Sequence, residues 1–576
     1  MLGTRSNPRL GDVKTLSARL FTPEQPLRLA GGAQLSDVTV AYETYGQLNA
    51  DKDNVVFVCH ALTGDAHAAG EPPGWWSAMI GPGLAIDTEK WFVVCPNLLG
   101  GCQGTTGPSS VDPATGKAYG LSFPLLQMRD FVACHRALLS HLGVTHVHTA
   151  IGGSLGGMQV LQWALDSPDE LSQAVVIAAS PRLTAQNIAF SAVAREAIMA
   201  DENFLGGQFA EQGRNPDVGL ATARMMAHIT YLSEGAFAAK FGRAPQGDSS
   251  DPGFGVDFAV EGYLRHQGQA FVTRFNALTY LYLSRVMDYF DPFAADDAVA
   301  GLGPGGPRFL IVSFDSDWRF STSHSLGIVK HLERAQAPVS FREISSPWGH
   351  DSFLLNVPEY LTTVKAFVEA DTRSVGELPA LRPDLERIAG LIEPGSRVLD
   401  LGCGPGDLLR HLVRCRCAVT GVERDSAAVV AAIAAGVPVL GLDLDTQLDE
   451  FTDDSYDVVV LSRTLQAVLH PAEVLRQMSR IGRRLIVSMP NFAYWPHRVT
   501  LARGDMPRSS DLPFEWFDTP NVHYATLESL EALFTSLGLG VEQRFALEPS
   551  GRIVKFGANL RASSAIYVLR QGAAKK

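Results

Sequence analysis

The sequence predicts an α/β protein of two units, each a largely parallel sheet with crossover helices, and three observations predict it. Short β-branched runs alternate with longer helical patterns along most of the 576 residues. One interruption of about 130 residues breaks that alternation, far beyond an ordinary connection. A polar, proline-bearing stretch, "DTRSVGELPALRP", then separates a first set of strands from a second. With 46% hydrophobic residues the chain can bury several cores. Length alone suggests about three or four domains, a number that large α/β units bring down.

In chain order, "NVVFVCHALTG", "WFVVCPN", "VHTAIGG", "QAVVIAAS" and "RFLIVSFDSD" read as buried parallel strands, each running into a loop. The interruption, about residues 182–300, contains "GLATARMMAHITYLSEGAFAAKF" and "AFVTRFNALTYLYLSRVMDYF", which read as helices of a lid over the sheet's carboxyl edge. The first domain is placed at residues 1–372, a linker at 373–384 and the second domain at 385–572. There "SRVLDLGCG", "CAVTGVERD", "VPVLGLDLD", "YDVVVLSRTL" and "RRLIVSMPN" supply the strands. No internal repeat or low-complexity tract interrupts either unit.

A net charge of -13 without long Lys/Arg runs argues against nucleic-acid and anionic-membrane partners. Seven scattered cysteines without a CxxC pair predict reduced thiols and no zinc site. The first thirty residues lack an apolar signal core, and no later run reaches spanning length, so the expected location is the cytoplasm.

"GGSLGG" sets Ser154 between Gly152 and Gly156, the G-x-S-x-G pattern of a strained strand-to-helix turn that raises a nucleophile above a sheet. A serine hydroxyl needs a general base and a group to orient that base. Asp317 in "DSDWRF" and His350 in "SSPWGHDSF" each follow a strand-like run, in the order Ser, Asp, His found in α/β-hydrolase folds. Asp315 is the alternative carboxylate. For the oxyanion, the backbone amides of Leu155 and of Leu62 in "HALTGDAH" are the expected donors. His60 in that loop is expected to steer backbone, since His350 fills the base role.

These segments, with "PNLLGGCQGTTGPSS", "SPRLTAQNIAF" and "LATARMMAHITY", resemble the MetX-type homoserine O-acyltransferase family of methionine biosynthesis over about residues 10–370. The resemblance implies an α/β-hydrolase fold and ping-pong transfer of an acyl group from acyl-CoA, through Ser154, to the hydroxyl of L-homoserine. It requires no cofactor and implies a homodimer formed through the lid. It also places Arg224 and Asp351 at the amino-acid substrate, as chemistry suits: a guanidinium for the carboxylate, a carboxylate for the ammonium. Arg319 lies on the catalytic loop, where "DWRFS" resembles the succinyl-using branch, and a guanidinium there can pair the terminal carboxylate of succinyl-CoA. An acetyl donor, a serine acceptor or an esterase remain alternatives on the same triad.

In the second unit, "VLDLGCGPGDLL" is a strand, a glycine-rich turn and a helix start. Gly402, Gly404 and Gly406 let a ligand approach the backbone, Asp400 meets its charged part, Glu423 is spaced for ribose hydroxyls and Asp443 for an adenine edge. The spacing looks like a class I S-adenosylmethionine-dependent methyltransferase fold. More narrowly, "LDLGCGPGDLL", "VVVLSRTLQAV", "LIVSMPNFAYWPHRVTL" and "LPFEWFDTPNVHYAT" resemble MetW over about residues 382–570. No acceptor or catalytic base stands out, and Asn491 in "MPNF" has the reverse order of the amine-methylating Asn-Pro turn. The expectation is a ligand-binding module, with S-adenosylmethionine the candidate ligand, that supports or regulates the acyltransferase; a sensor or scaffold whose acyl transfer is secondary is the alternative from another class.

Overall fold

The computed structural model describes residues 10–246, 253–370 and 380–571. The chain forms two compact units, Met1–Ala337 with Arg342–Val368, and Pro338–Phe341 with Glu369–Lys576.

In the first unit the strands are β1 (Leu16–Phe21), β2 (Leu27–Arg28), β3 (Gln34–Leu35), β4 (Val38–Tyr45), β5 (Val55–Cys59), β6 (Phe92–Pro96), β7 (Val147–Gly153), β8 (Leu171–Ile177), β9 (Arg308–Phe314) and the end of β10 (Val339–Ile344), whose residues up to Phe341 fall in the second. β2 and β3 pair apart, and the others run in the order β1-β4-β6-β5-β7-β8-β9-β10. All five residues of β5 are buried, as a strand covered on both faces requires. β6, β5, β7, β8 and β9 pair in parallel. β1 and β4, which the sequence reading passed over, are antiparallel. β1 is largely exposed at the sheet's edge, so it lacks the apolar run that marks the central strands.

Helices α1 (Met128–His141) and α2 (Leu155–Asp166) precede the long interruption, which holds α3 (Ala185–Met199), α4 (Asp217–Tyr231), α5 (Glu234–Lys240), α6 (Ala259–Val272) and α7 (Ala277–Asp288). α8 (Thr322–Arg334) and α9 (Pro358–Val368) follow β9 and β10. Capping side chains divide each of the two helical stretches. Ser233 accepts from Ala236 N–H and starts α5, and Asn276 accepts from Leu278 and Thr279 N–H and starts α7.

The second unit begins with α10 (Pro383–Ala389), inside the linker expected at 373–384, of which 373–379 lie outside the described residues. Its strands are β11 (Arg397–Leu401), β12 (Ala418–Val422), β13 (Val439–Leu440), β14 (Tyr456–Ser462), β15 (Gly482–Pro490), β16 (Leu539–Leu547) and β17 (Ser564–Gln571), in the order β13-β12-β11-β14-β15-β17-β16. The first five pair in parallel; β17 and β16 close the sheet antiparallel. Among the described residues no helix is long and apolar enough to cross a membrane, and all seven cysteines are free.

Candidate active site

Ser154 stands between β7 and α2 at φ 57, ψ −122, a conformation that costs an L-residue about 1–3 kcal/mol. The surrounding structure enforces it. Ser154 N–H donates to Ile177 O on β8 at 2.9 Å. A Cβ on Gly156 would stand 2.0 Å from Cys59 O, and one on Gly152 2.4 Å from the Gly156 carbonyl carbon. Only glycine at both positions lets α2 start directly against β5. The serine is thereby held at the N-terminus of α2, where unpaired N–H groups and the helix dipole favour negative charge.

The partners expected from chain order converge there. Ser154 Oγ–H donates to His350 Nε2 at 2.9 Å, across 196 residues of sequence, and His350 Nδ1–H donates to Asp317 Oδ2 at 2.7 Å. Asp317 Oδ1 accepts from the backbone N–H of Arg319 and Phe320, at 3.0 and 2.9 Å, so the carboxylate is fixed by its own loop. Asp315 instead bonds Ser345 Oγ and Ser346 N–H, bracing the neighbouring loop. His60 donates through Nδ1 to Ala61 O (2.7 Å) and accepts at Nε2 from Leu98 N–H (3.0 Å), and burial lowers its pKa. It is a neutral brace for the loop carrying Leu62. Among the described residues the amides of Leu62 and Leu155 donate to no backbone or side-chain acceptor.

One face of α4 looks onto the triad. Arg224, His228 and Tyr231, spaced i, i+4, i+7, share it, and the Tyr231 ring centroid lies 5.8 Å from that of His350. Arg224 reaches Thr63 Oγ1 at 3.4 Å and lies over the Phe271 and Tyr231 rings at 4.8 and 5.8 Å. Asp351 adjoins His350, and burial pushes its carboxyl up to about 6 against the opposing pull of His350 and Arg224. Sequence reasoning singled out neither Tyr231 nor His228, although helical spacing from Arg224 would have reached both. It also missed Arg274, whose NH1 donates to Thr63 O at 3.1 Å.

Arg319 is only 9% exposed. Its NH1 donates to Thr230 Oγ1 at 2.8 Å, and its Cζ lies 5.7 Å from the centroids of both Tyr231 and Phe320. No carboxylate among the described residues pairs with it. A guanidinium taken out of water without a counter-charge costs several kcal/mol, and an anionic ligand would offset that cost.

In the second unit Gly402, Gly404 and Gly406 all have positive φ (75, 55 and 84), and a Cβ on Gly402 would stand 2.3 Å from Thr464 Oγ1. Asp400 is buried with Oδ1 lacking a partner, and burial, helped by the Glu423 charge, pushes its carboxyl up to about 7. Glu423 is already engaged: Oε2 accepts from Gly404 N–H (2.9 Å) and Oε1 from Arg424 and Asp425 N–H (2.8 and 2.9 Å). One lone pair on Oε2 remains for a ligand hydroxyl. Asp443 accepts from Asp445 N–H and faces Arg424 at 3.4 Å. Asn491 is sealed in the core, its Nδ2 donating to Asn559 O and Ala562 O.

Residues 54–357 match the family model described as alpha/beta hydrolase fold, and residues 382–569 the one described as Methionine biosynthesis protein MetW. The chain is 40% identical to the bifunctional methionine biosynthesis protein MetXA/MetW of Rhodopirellula baltica, over 94% of this chain and 92% of that one. It is 53% identical to the homoserine O-succinyltransferase of a Nocardioides species, over 62% of this chain and 99% of that one. The crystal structure of homoserine O-acetyltransferase from Bacillus anthracis, 25% identical, superposes with a TM-score of 0.57, covering 63% of this chain and 99% of that one.

Proposed function

The chain belongs to the family in which a MetX-type homoserine O-acyltransferase is fused to a MetW domain, and on that premise we propose that it is a cytoplasmic homoserine O-succinyltransferase of methionine biosynthesis. The observation that carries the choice of donor is the buried Arg319 guanidinium with no carboxylate to face among the described residues.

Ser154 Oγ attacks the thioester carbonyl of succinyl-CoA while His350 Nε2 takes its proton. The oxyanion is held by the N–H groups of Leu155 and Leu62, aimed at charge that develops only in the transition state. CoA leaves as the thiol with the proton from His350, and the succinyl group stays as an ester on Ser154. Homoserine then enters with its carboxylate at Arg224 and its ammonium at Asp351. His350 removes the hydroxyl proton, the oxygen attacks the ester carbonyl, and O-succinylhomoserine departs as Ser154 recovers its proton. Asp317 keeps the imidazole in the tautomer that accepts at Nε2. Exposed Ile188 and Val193 on α3, with Val218 and Ile229 on α4, support a homodimer formed through the lid.

The second unit reads as a binding module for S-adenosylmethionine. The orphaned Asp400 carboxyl suits the ligand's ammonium, the glycine turn its close approach, and Oε2 of Glu423 a ribose hydroxyl. Such a ligand carries a transferable methyl group, but the reading here is that of an effector supporting the acyltransferase.

The test is thiol release from succinyl-CoA and from acetyl-CoA by the full chain, with and without homoserine, and the mass of the product. The expected result is homoserine-dependent release that favours succinyl-CoA and yields O-succinylhomoserine. Sustained turnover without homoserine, beyond the one equivalent of thiol that acylates Ser154, would make the protein a thioester hydrolase, and a preference for acetyl-CoA would remove the role given to Arg319.

A further inference from the structure

The far end of Arg319 is held by a residue on another element. Its backbone is fixed independently of its side chain: N–H donates to Asp317 Oδ1 at 3.0 Å, and its carbonyl accepts from Asn187 Nδ2 on α3 at 2.9 Å. The guanidinium, at the end of a long and rotamer-rich side chain, lies against the Tyr231 and Phe320 rings, and its one hydrogen bond among the described residues goes to the hydroxyl of Thr230 in the last turn of α4. Thr230 is 1% exposed. Its single hydroxyl proton goes to Ala227 O at 2.8 Å, which turns the oxygen's lone pairs toward Arg319 NH1, also at 2.8 Å. Asp or Glu at this position would hold the guanidinium as well and would also neutralise it. A neutral acceptor orients the cation and leaves its charge available for a ligand.

We propose that Thr230 is a positioning residue that sets the acyl-donor preference by holding the Arg319 guanidinium in line for the carboxylate of the acyl group. The inference rests on the reading of Arg319 as the carboxylate-binding group. It makes α4 the common reader of both substrates, with Arg224 facing homoserine and Thr230 acting on the acyl group through Arg319. Because the hydroxyl's other bond closes within α4 itself, its loss leaves the triad untouched.

The experiment compares Thr230→Val, which keeps the shape and deletes the acceptor, with Thr230→Ser, which keeps the hydroxyl, in the full chain with each donor. We expect Thr230→Val to lower kcat/KM for succinyl-CoA about tenfold, chiefly through KM, with the acetyl-CoA value moving less than about twofold. Thr230→Ser should return both values to near the parent's. In an Arg319→Leu background, Thr230→Val should add nothing. Equal losses with both donors, or a serine variant as impaired as the valine one, would overturn the proposal. If Arg319→Leu alone fails to separate the donors, the reading of Arg319 falls. If it separates them and Thr230→Val does not, Thr230 alone falls. Should the valine variant not fold, Thr230→Ala carries the same expectation of a donor-dependent loss.

Discussion

Asp317 in the first unit and Glu423 in the second each accept three hydrogen bonds, yet they do different things with them. Two of the three at Asp317 are loop amides and the third is the imidazole of His350, so a rigid carboxylate orients a group that carries a proton. All three at Glu423 are backbone amides of its own turn and of the glycine loop, so an equally rigid carboxylate shapes a crevice. The unpartnered charges differ in the same way. The first unit leaves a cation, Arg319, on the loop whose Asp317 is hydrogen-bonded through His350 to Ser154. The second leaves an acid, Asp400, just before the glycine turn, with one oxygen that lacks a partner. Saturated polar groups alone do not distinguish catalysis from binding; a titratable side chain in the chain of bonds does.

The sharpest way to break this contrast is to remove the nucleophile. Ser154→Ala should lower turnover by at least about 10⁴-fold, and His350→Ala nearly as much, since nucleophile and base act as one unit. Incubation of Ser154→Ala with succinyl-CoA should give no mass shift in the intact protein; an acylated alanine variant would remove Ser154 from the chemistry.

The next largest effect belongs to the unpaired cation. Arg319→Leu should cost succinyl transfer about 2–4 kcal/mol, the loss of a charge-assisted bond, with acetyl transfer affected far less. Parallel kinetics with the two donors measure the difference, and equal losses would make the arginine structural.

For the unpaired acid, titration calorimetry of S-adenosylmethionine into the full chain gives the equivalent measurement. Asp400→Asn keeps the shape and removes the charge, and should weaken binding about tenfold. Gly404→Asp places a carboxylate beside Asp400 and Glu423 at φ 55, where its Cβ meets open space, so repulsion and backbone cost should weaken binding in the same direction. Absence of any heat from the parent protein would end the effector reading and leave the second unit without an assigned ligand.

The smallest effect is one of pH. With the Asp351 carboxyl raised to about 6, its charged form is lost as pH falls through that value, and kcat/KM for homoserine should fall with it by up to about tenfold per unit. In Asp351→Asn the acid limb should become shallower, because this carboxyl no longer contributes to it. The sign for stability is opposite. An acid whose pKa is raised on folding contributes stability below its unfolded value and loses it as pH rises through the folded one. The asparagine variant should therefore melt higher than the parent at pH 8, and a lower melting point would show that the carboxylate is compensated within the fold.

Much of the fold was legible because central parallel strands are buried on both faces and draw mostly apolar or small residues, as "VVFVC", "VHTAIGG" and "YDVVVLS" do over most of their length. The antiparallel strands at the margins were not. β16 exposes most of its middle residues, and a half-wet strand carries too few apolar positions to stand out. The triad was legible because each member follows a strand and the order is constrained. Thr230 was not, since its significance comes from Arg319, 89 residues away in sequence.

What the sequence by itself determined is therefore the set of strands in the two cores, the strained glycine-flanked serine, and the types of group that reach the carboxyl edges of the sheets. These follow from local sterics and from hydrophobic periodicity, which act over a few residues. Only the tertiary structure decided which of those groups are satisfied and which are left over. Asp317 rather than Asp315 meets His350, Glu423 is engaged by its own loop, Arg319 is buried without a carboxylate among the described residues, and Asp400 keeps an oxygen without a partner. Hydrogen-bond saturation depends on neighbours brought from distant parts of the chain, and periodicity specifies the direction in which a side chain points but not what it meets there.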